Sequence, residues 1–181
     1  MTSKEKYAQE LKQSDVDHHT PTAGAMTGHI IANLLIHTLK ISQAKLFAQG
    51  PVALFLAQYG DAWITHEQAT FAKLNQLLVN NGESIPTTTD QFKQFTMLEE
   101  DGAVKYDPGT EQLFSLVKDF DTQTLFITKA ITLGRNEEWP ELVASLTSLL
   151  AWIKAQIALT QRFLGHDLRT GLYTEEDDDD F

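Results

Sequence analysis

The sequence predicts an all-α fold: four long helices in one bundle, preceded by a helical N-terminal extension. Three observations carry that expectation. Apolar residues recur at three- and four-residue steps through long segments, which marks helices with one buried stripe. Gly and Pro punctuate those segments at Gly50-Pro51, Asn81-Gly82, Pro108-Gly109 and between Gly134 and Pro140, where helices stop and restart. The turns after the first and third long segments are short and the connection after the second is long, the connectivity of a bundle with one crossover.

Residues 1–20 precede the bundle and are strongly polar. Thr2 and Glu5 have capping-box spacing, and Tyr7, Ala8 and Leu11 make a narrow apolar strip, so a short helix is expected through about Gln13. Such a helix is marginal in water unless it packs on something. The bundle is assigned to residues 21–168. Its first helix starts at Thr22 or Thr27 and runs to Ala48, with Ile30, Ile31, Leu34, Leu35, Leu39, Ile41 and Leu46 as its stripe. His37 falls among them, where a hydrogen-bonded core histidine is the expected reading. The second helix opens at Pro51, which suits a first turn, and closes on Gly82, which suits the left-handed residue past a helix end. Val52, Phe55, Leu56, Tyr59, Trp63, Leu74, Leu77 and Leu78 form its stripe. His66 and Glu67 are adjacent, so they point about 100° apart and make no site together. A short helix from Asp90 to Leu98 follows, with Phe92, Phe95 and Leu98 on one face. The third long helix runs from Pro108 to Leu133 and ends at Gly134; the fourth runs from Pro140 to Leu164. Residues 169–181 are assigned to an acidic tail.

Composition bounds the chemistry. The chain has 181 residues and no cysteine, which excludes disulfides, thiolate metal sites and cysteine catalysis. No charged start followed by an apolar segment marks a signal peptide and no apolar run is long enough for a span, so a soluble cytoplasmic protein without a membrane partner is expected. Formal net charge is −11, of which six negatives lie between Glu175 and Asp180, leaving −5 for the rest. That is the reverse of the usual footprint of a nucleic-acid binder, and it suits a surface that attracts cations.

A helix ending at Gly50, a long helix closing on Gly82 with Pro86 four residues on, and the final Arg162-Phe163-Leu164-Gly165 resemble the Dps miniferritins, over roughly residues 25 to 165. The resemblance implies a ferritin-like four-helix bundle with a short helix in the crossover between core helices two and three. It also implies a hollow homo-oligomeric shell, a dodecamer, that stores iron and shields DNA in a nucleoid-associated cytoplasmic role. In that family the crossover helix packs across a subunit twofold, which would place Phe92 and Phe95 at an interface.

The family's di-iron site lies between subunits. Its pattern is a His, eleven residues, a His, three residues, an Asp, ten residues, an acidic residue, three residues and a Glu. Aligned on Gly50, this chain puts Lys45, Ala57, Asp61, Ala72 and Gln76 in those places. Only Asp61 is a competent ligand, and Fe(II) needs several imidazole and carboxylate donors at once. The usual ferroxidase centre is therefore expected to be absent, with Lys45 and Asp61 either paired or pointing separately into water.

Three other groups are candidate sites. Lys4, Lys6 and Lys12 on the extension are implied DNA contacts, because Dps-like proteins use lysine-bearing terminal arms and many copies on one shell add avidity; the alternative is a solvated tail of balanced charge. Asp15, Asp17, His18, His19 and His29 crowd a segment broken by Pro21 and Gly24. A loop folding back would bring Asp15, His18 and His29 onto one zinc, iron or other divalent ion, with Asp17 or His19 adding a donor; the alternative is a polar linker. Glu137, Glu138 and Glu141 cluster where the fourth helix starts. Acidic groups favour any helix N-terminus, and in Dps shells this region lies near a carboxylate-lined channel that admits iron. The expected function is a Dps-like shell that binds DNA and takes up iron without the intersubunit centre. The alternatives are an active ferroxidase at an unfamiliar site and an inert shell acting only in DNA compaction.

Overall fold

The computed structural model describes residues 1–174; the acidic run from Glu175 to Asp180, part of the tail assigned above, lies outside the described residues. The elements are α1 (Ser3–His19), α2 (Ala23–Phe47), α3 (Pro51–Asn80), α4 (Thr89–Phe95), a 3-10 segment (Gly102–Tyr106), α5 (Gly109–Asn136) and α6 (Pro140–Phe163). Helices α2 and α3 form one antiparallel hairpin, α5 and α6 another, and α2 packs against α5 across the crossover. This is the ferritin-like bundle with a short crossover helix and an N-terminal helical extension.

Local chemistry sets the boundaries. Thr22 caps α2 by accepting the Ala25 N–H at 3.1 Å, and Thr88 caps α4 in a reciprocal box with Gln91. At the α2–α3 turn no side chain caps the helix; Gly50 adopts φ +68° and Pro51 fills the first turn. The start of α5 lies hard against this turn. A Cβ built on Gly109 would stand 2.6 Å from the Gln49 carbonyl oxygen, so only glycine allows that approach.

The core is one cluster. Trp63 and Phe120 are its largest fully buried side chains and meet edge to face at 5.1 Å and 88°. Phe92, partly buried, packs on this core through Phe71, at 5.9 Å. Three helix ends and one added element differ from the sequence expectation. Helix α1 continues six residues past Gln13 to His19, α4 stops at Phe95 instead of Leu98, α5 runs through Gly134 to Asn136, and the 3-10 segment has no counterpart in the sequence reading. The assigned tail also begins docked. Leu172 is buried, and Arg169 donates to both Asp121 carboxylate oxygens at 2.7 and 3.2 Å.

Candidate metal and nucleic-acid sites

Deep in the bundle, α2 and α3 bring two titratable groups together. His37 Nδ1 lies 2.6 Å from Glu67 Oε1, and both side chains are fully buried. His37 Nε2 faces the Leu116 carbonyl oxygen at 3.3 Å. Both ring nitrogens thus meet acceptors, which a doubly protonated imidazolium satisfies. Burial works against that charge, but the Glu67 carboxylate, its hydrogen bond and nearby Asp119 outweigh it and hold His37 above its usual range. Asp119 is in turn bridged at 2.7 Å by Lys40, whose stem rises from α2 toward the crossover. Glu67 Oε2 is buried with no hydrogen-bond partner, an arrangement that costs free energy unless something cationic sits nearby. The adjacent His66 points elsewhere and stacks on Trp152 at 4.0 Å. The two residues make no site together, as their spacing requires.

On the outer face, Lys45 at the end of α2 and Asp61 on α3 form an ion pair. Gly60 makes room for it: a Cβ there would lie 3.5 Å from Lys45 Cδ, so the lysine stem runs flat over the glycine. Ala57, Ala72 and Gln76 are exposed on α3, and Gln76 donates to Asn80 at 2.7 Å.

Helix α1 contributes no buried residue, and Lys4, Lys6 and Lys12 are all exposed along it. Its first turn carries the capping box: Thr2 N–H donates to Glu5 at 2.6 Å and Glu5 N–H to Thr2 at 3.3 Å. Its C-terminal end is fastened by rings. His18 stacks on Phe95 at 4.8 Å and 15° and meets His29 edge-on at 4.9 Å. Each histidine donates Nδ1–H to a carbonyl, His18 to Ser14 at 2.6 Å and His29 to Phe95 at 2.8 Å. That leaves each Nε2 with a lone pair, and in His18 this atom is buried without a partner. Burial keeps His29 below its usual range, with the Phe95 carbonyl opposing and His18 adding to the shift.

The expected loop that folds Asp15, His18 and His29 together does not form. Because α1 stays helical through His19, Asp15 turns to the exposed His19 (3.7 Å) and Asp17 accepts from Gln13 (2.8 Å). Only His18 and His29 meet. Among the described residues no three histidine or carboxylate side chains are arranged to hold a metal ion. At the α5–α6 turn, Glu137 is committed elsewhere: it accepts the Ala23 N–H at 2.9 and 3.3 Å and so caps α2 across the fold. Glu138 sits at φ +55° and Glu141 in the first turn of α6, both exposed.

A scan against protein-family models and a search of curated proteins return no match. Solved structures do match. The Lactococcus lactis DpsB protein is 36% identical, with 91% of this chain and 95% of that chain covered and a TM-score of 0.85. The chain belongs to the Dps family. Lactococcus lactis DpsA is similar at 30% identity, 92% and 98% coverage and a TM-score of 0.87. A Listeria innocua Dps, soaked with zinc, shares the fold at 21% identity, 81% and 98% coverage and a TM-score of 0.76.

Charged and titratable side chains thus meet in two separate places: the Lys45–Asp61 ion pair on the outer face, and His37 with Glu67, near Asp119, inside the bundle. Sequence reasoning missed Glu67 and Asp119. The signal was present: Gly60, Trp63, Glu67, Leu74 and Leu78 fall on one stripe of α3, so Glu67 occupies a core position.

Proposed function

We propose that the chain is a Dps shell protein, a dodecamer, that binds DNA through α1 and sequesters iron without an intersubunit ferroxidase centre. One observation carries the DNA reading: α1 is a capped helix of 17 residues that is held to the bundle only near its C-terminal end and presents Lys4, Lys6 and Lys12 to solvent. Residues 1–20 carry these three lysines against Glu5, Glu10, Asp15 and Asp17, so phosphate contact rests on the placement of the lysines along the helix and not on net charge. Removing residues 1–20 is expected to abolish a gel shift while the oligomer elutes unchanged; a retained shift would overturn the arm assignment.

Iron sequestration is supported by the acidic balance, with Glu138 and Glu141 exposed at the α5–α6 turn as its channel candidates. A second reading, iron oxidation at an unfamiliar site, is favoured by the orphaned Glu67 Oε2 beside His37 and Asp119. One imidazole and two carboxylates are donor types that suit a hard divalent ion, but as arranged they form no metal cluster; binding there requires His37 to give up a proton, Asp119 to release Lys40 and the three groups to close together. The His18–His29 pair has the tautomer that metal ligands use, and the two rings alone offer a softer ion such as zinc two donors. Co(II) titration of the oligomer separates these readings. Proton release and a visible band that disappear in the His37→Leu/Glu67→Leu variant locate the ion in the bundle; loss in His18→Phe locates it at the arm. An inert shell would give neither signal and no mineral on addition of Fe(II) and oxidant.

A further inference from the structure

A run of aromatic rings passes through the bundle and comes toward solvent at both ends. Trp152 on α6 is half-buried and stacked on His66. Inward it meets Phe120 of α5 at 5.8 Å and 75°. Phe120 meets Trp63 of α3 at 5.1 Å, Trp63 meets Phe55 at 5.8 Å, and Phe55 meets the half-buried Tyr59 at 4.8 Å. The middle is sealed, with Phe120 0% and Trp63 1% exposed. The chain has no cysteine, so no thiol competes as the first group to be oxidised.

We propose that Trp152, Trp63 and Tyr59 form an electron relay that answers a one-electron oxidant at Trp152 and leaves the resulting radical on Tyr59. A hydroxyl radical is the oxidant class considered. It takes the indole N–H hydrogen of Trp152: that N–H bond breaks, an O–H bond forms, and water leaves an indolyl radical. An electron from Trp63 then reduces Trp152, which regains its proton from solvent. The Trp63 N–H donates to Gln156 Oε1 at 2.9 Å. An amide oxygen is too weak a base to take that proton, so Trp63 holds the hole as a mobile radical cation. Tyr59 supplies the last electron and loses its phenol proton to water. The net change is one phenol and one hydroxyl radical converted to one phenoxyl radical and one water. Phe120 and Phe55 act as packed bridges and do not change oxidation state. The direction follows because a phenol that sheds its proton to solvent holds the hole at lower energy than a buried indole. The relay depends neither on where iron binds nor on DNA.

Pulse radiolysis of the intact oligomer with azide radical, which oxidises indoles in preference to phenols, tests it. The indolyl band is expected to decay as the phenoxyl band grows, at a first-order rate independent of protein concentration. Tyr59→Phe should remove the phenoxyl growth, and Trp63→Phe should lose the concentration-independent phase. Phenoxyl growth that survives Tyr59→Phe, or an unchanged rate in Trp63→Phe, overturns the proposal. Tyr59→Phe removes a single hydroxyl from a half-buried side chain, so that arm reads out even where Trp63→Phe disturbs packing.

Discussion

Replacing Glu67 by Leu tests the buried pair from its weaker side. Removing one partner of a buried ion pair costs about 3–5 kcal/mol when the remaining charge cannot escape. His37 can escape by shedding its proton, while Nε2 keeps the Leu116 carbonyl at 3.3 Å. The remaining penalty is one orphaned ring nitrogen, about 1–3 kcal/mol. For a chain of this size each kcal/mol shifts the midpoint by roughly 2–4 °C, so the fall is about 2–12 °C. Calorimetry at fixed protein concentration is the assay, because shell assembly couples to unfolding. The His37→Leu/Glu67→Leu variant should recover most of the loss, since apolar side chains of similar volume often replace a buried pair without penalty. A Glu67→Leu protein melting at the parental temperature, or a double variant far below the single, would refute the reasoning.

The same pair sets a pH dependence. His37 is raised in the fold, so the folded state holds more protons than the unfolded one above about pH 6.5. Its stabilising contribution is full below that pH and is lost as pH rises through the raised value; melting across that window should show the decline in the parent and not in the double variant. Gly109→Ala forces a Cβ to 2.6 Å from the Gln49 carbonyl oxygen and should cost about 1–3 kcal/mol in thermal unfolding. Asp61→Ala breaks a pair whose aspartate is 74% exposed; it should change stability by less than about 1 kcal/mol and leave Fe(II) oxidation kinetics as they were. Each of Lys4, Lys6 and Lys12 changed to Gln should lower the salt slope of DNA binding by about 1, and an unaltered slope in binding isotherms would remove that lysine from the interface.

The long helices were legible because their stripes and turn residues agree, whereas spacing off Gly50 singled out Lys45 and Asp61 but left open whether they pair; the pairing is a finding of the fold. The length of α1 was misread because its apolar strip stops at Leu11. What carries it onward is polar: Gln13 with Asp17, Ser14 with His18 and Asp15 with His19, all four residues apart. Gly134 looked like a helix end but serves packing, since a Cβ there would sit 2.9 Å from Val143 Cγ2. Helix α4 stops early because Asn33, distant in sequence, accepts from Thr96 Oγ1 at 3.0 Å and the Met97 N–H at 2.7 Å. Glu67 lay on a readable core stripe, but what it meets there was not readable. Its partner lies 30 residues away on another helix, and no local pattern announces a tertiary contact.

The ion pair on the outer face is fixed chemistry rather than a site that loads and empties. A positive charge borne by Lys45 is covalent, so no chelator strips it and no shortage of metal empties it. What does act on it is the surrounding electrolyte: Asp61 is 74% exposed, and salt screens the attraction between charges that water reaches. This patch of surface therefore answers to the salt around the protein and stays indifferent to its metal supply.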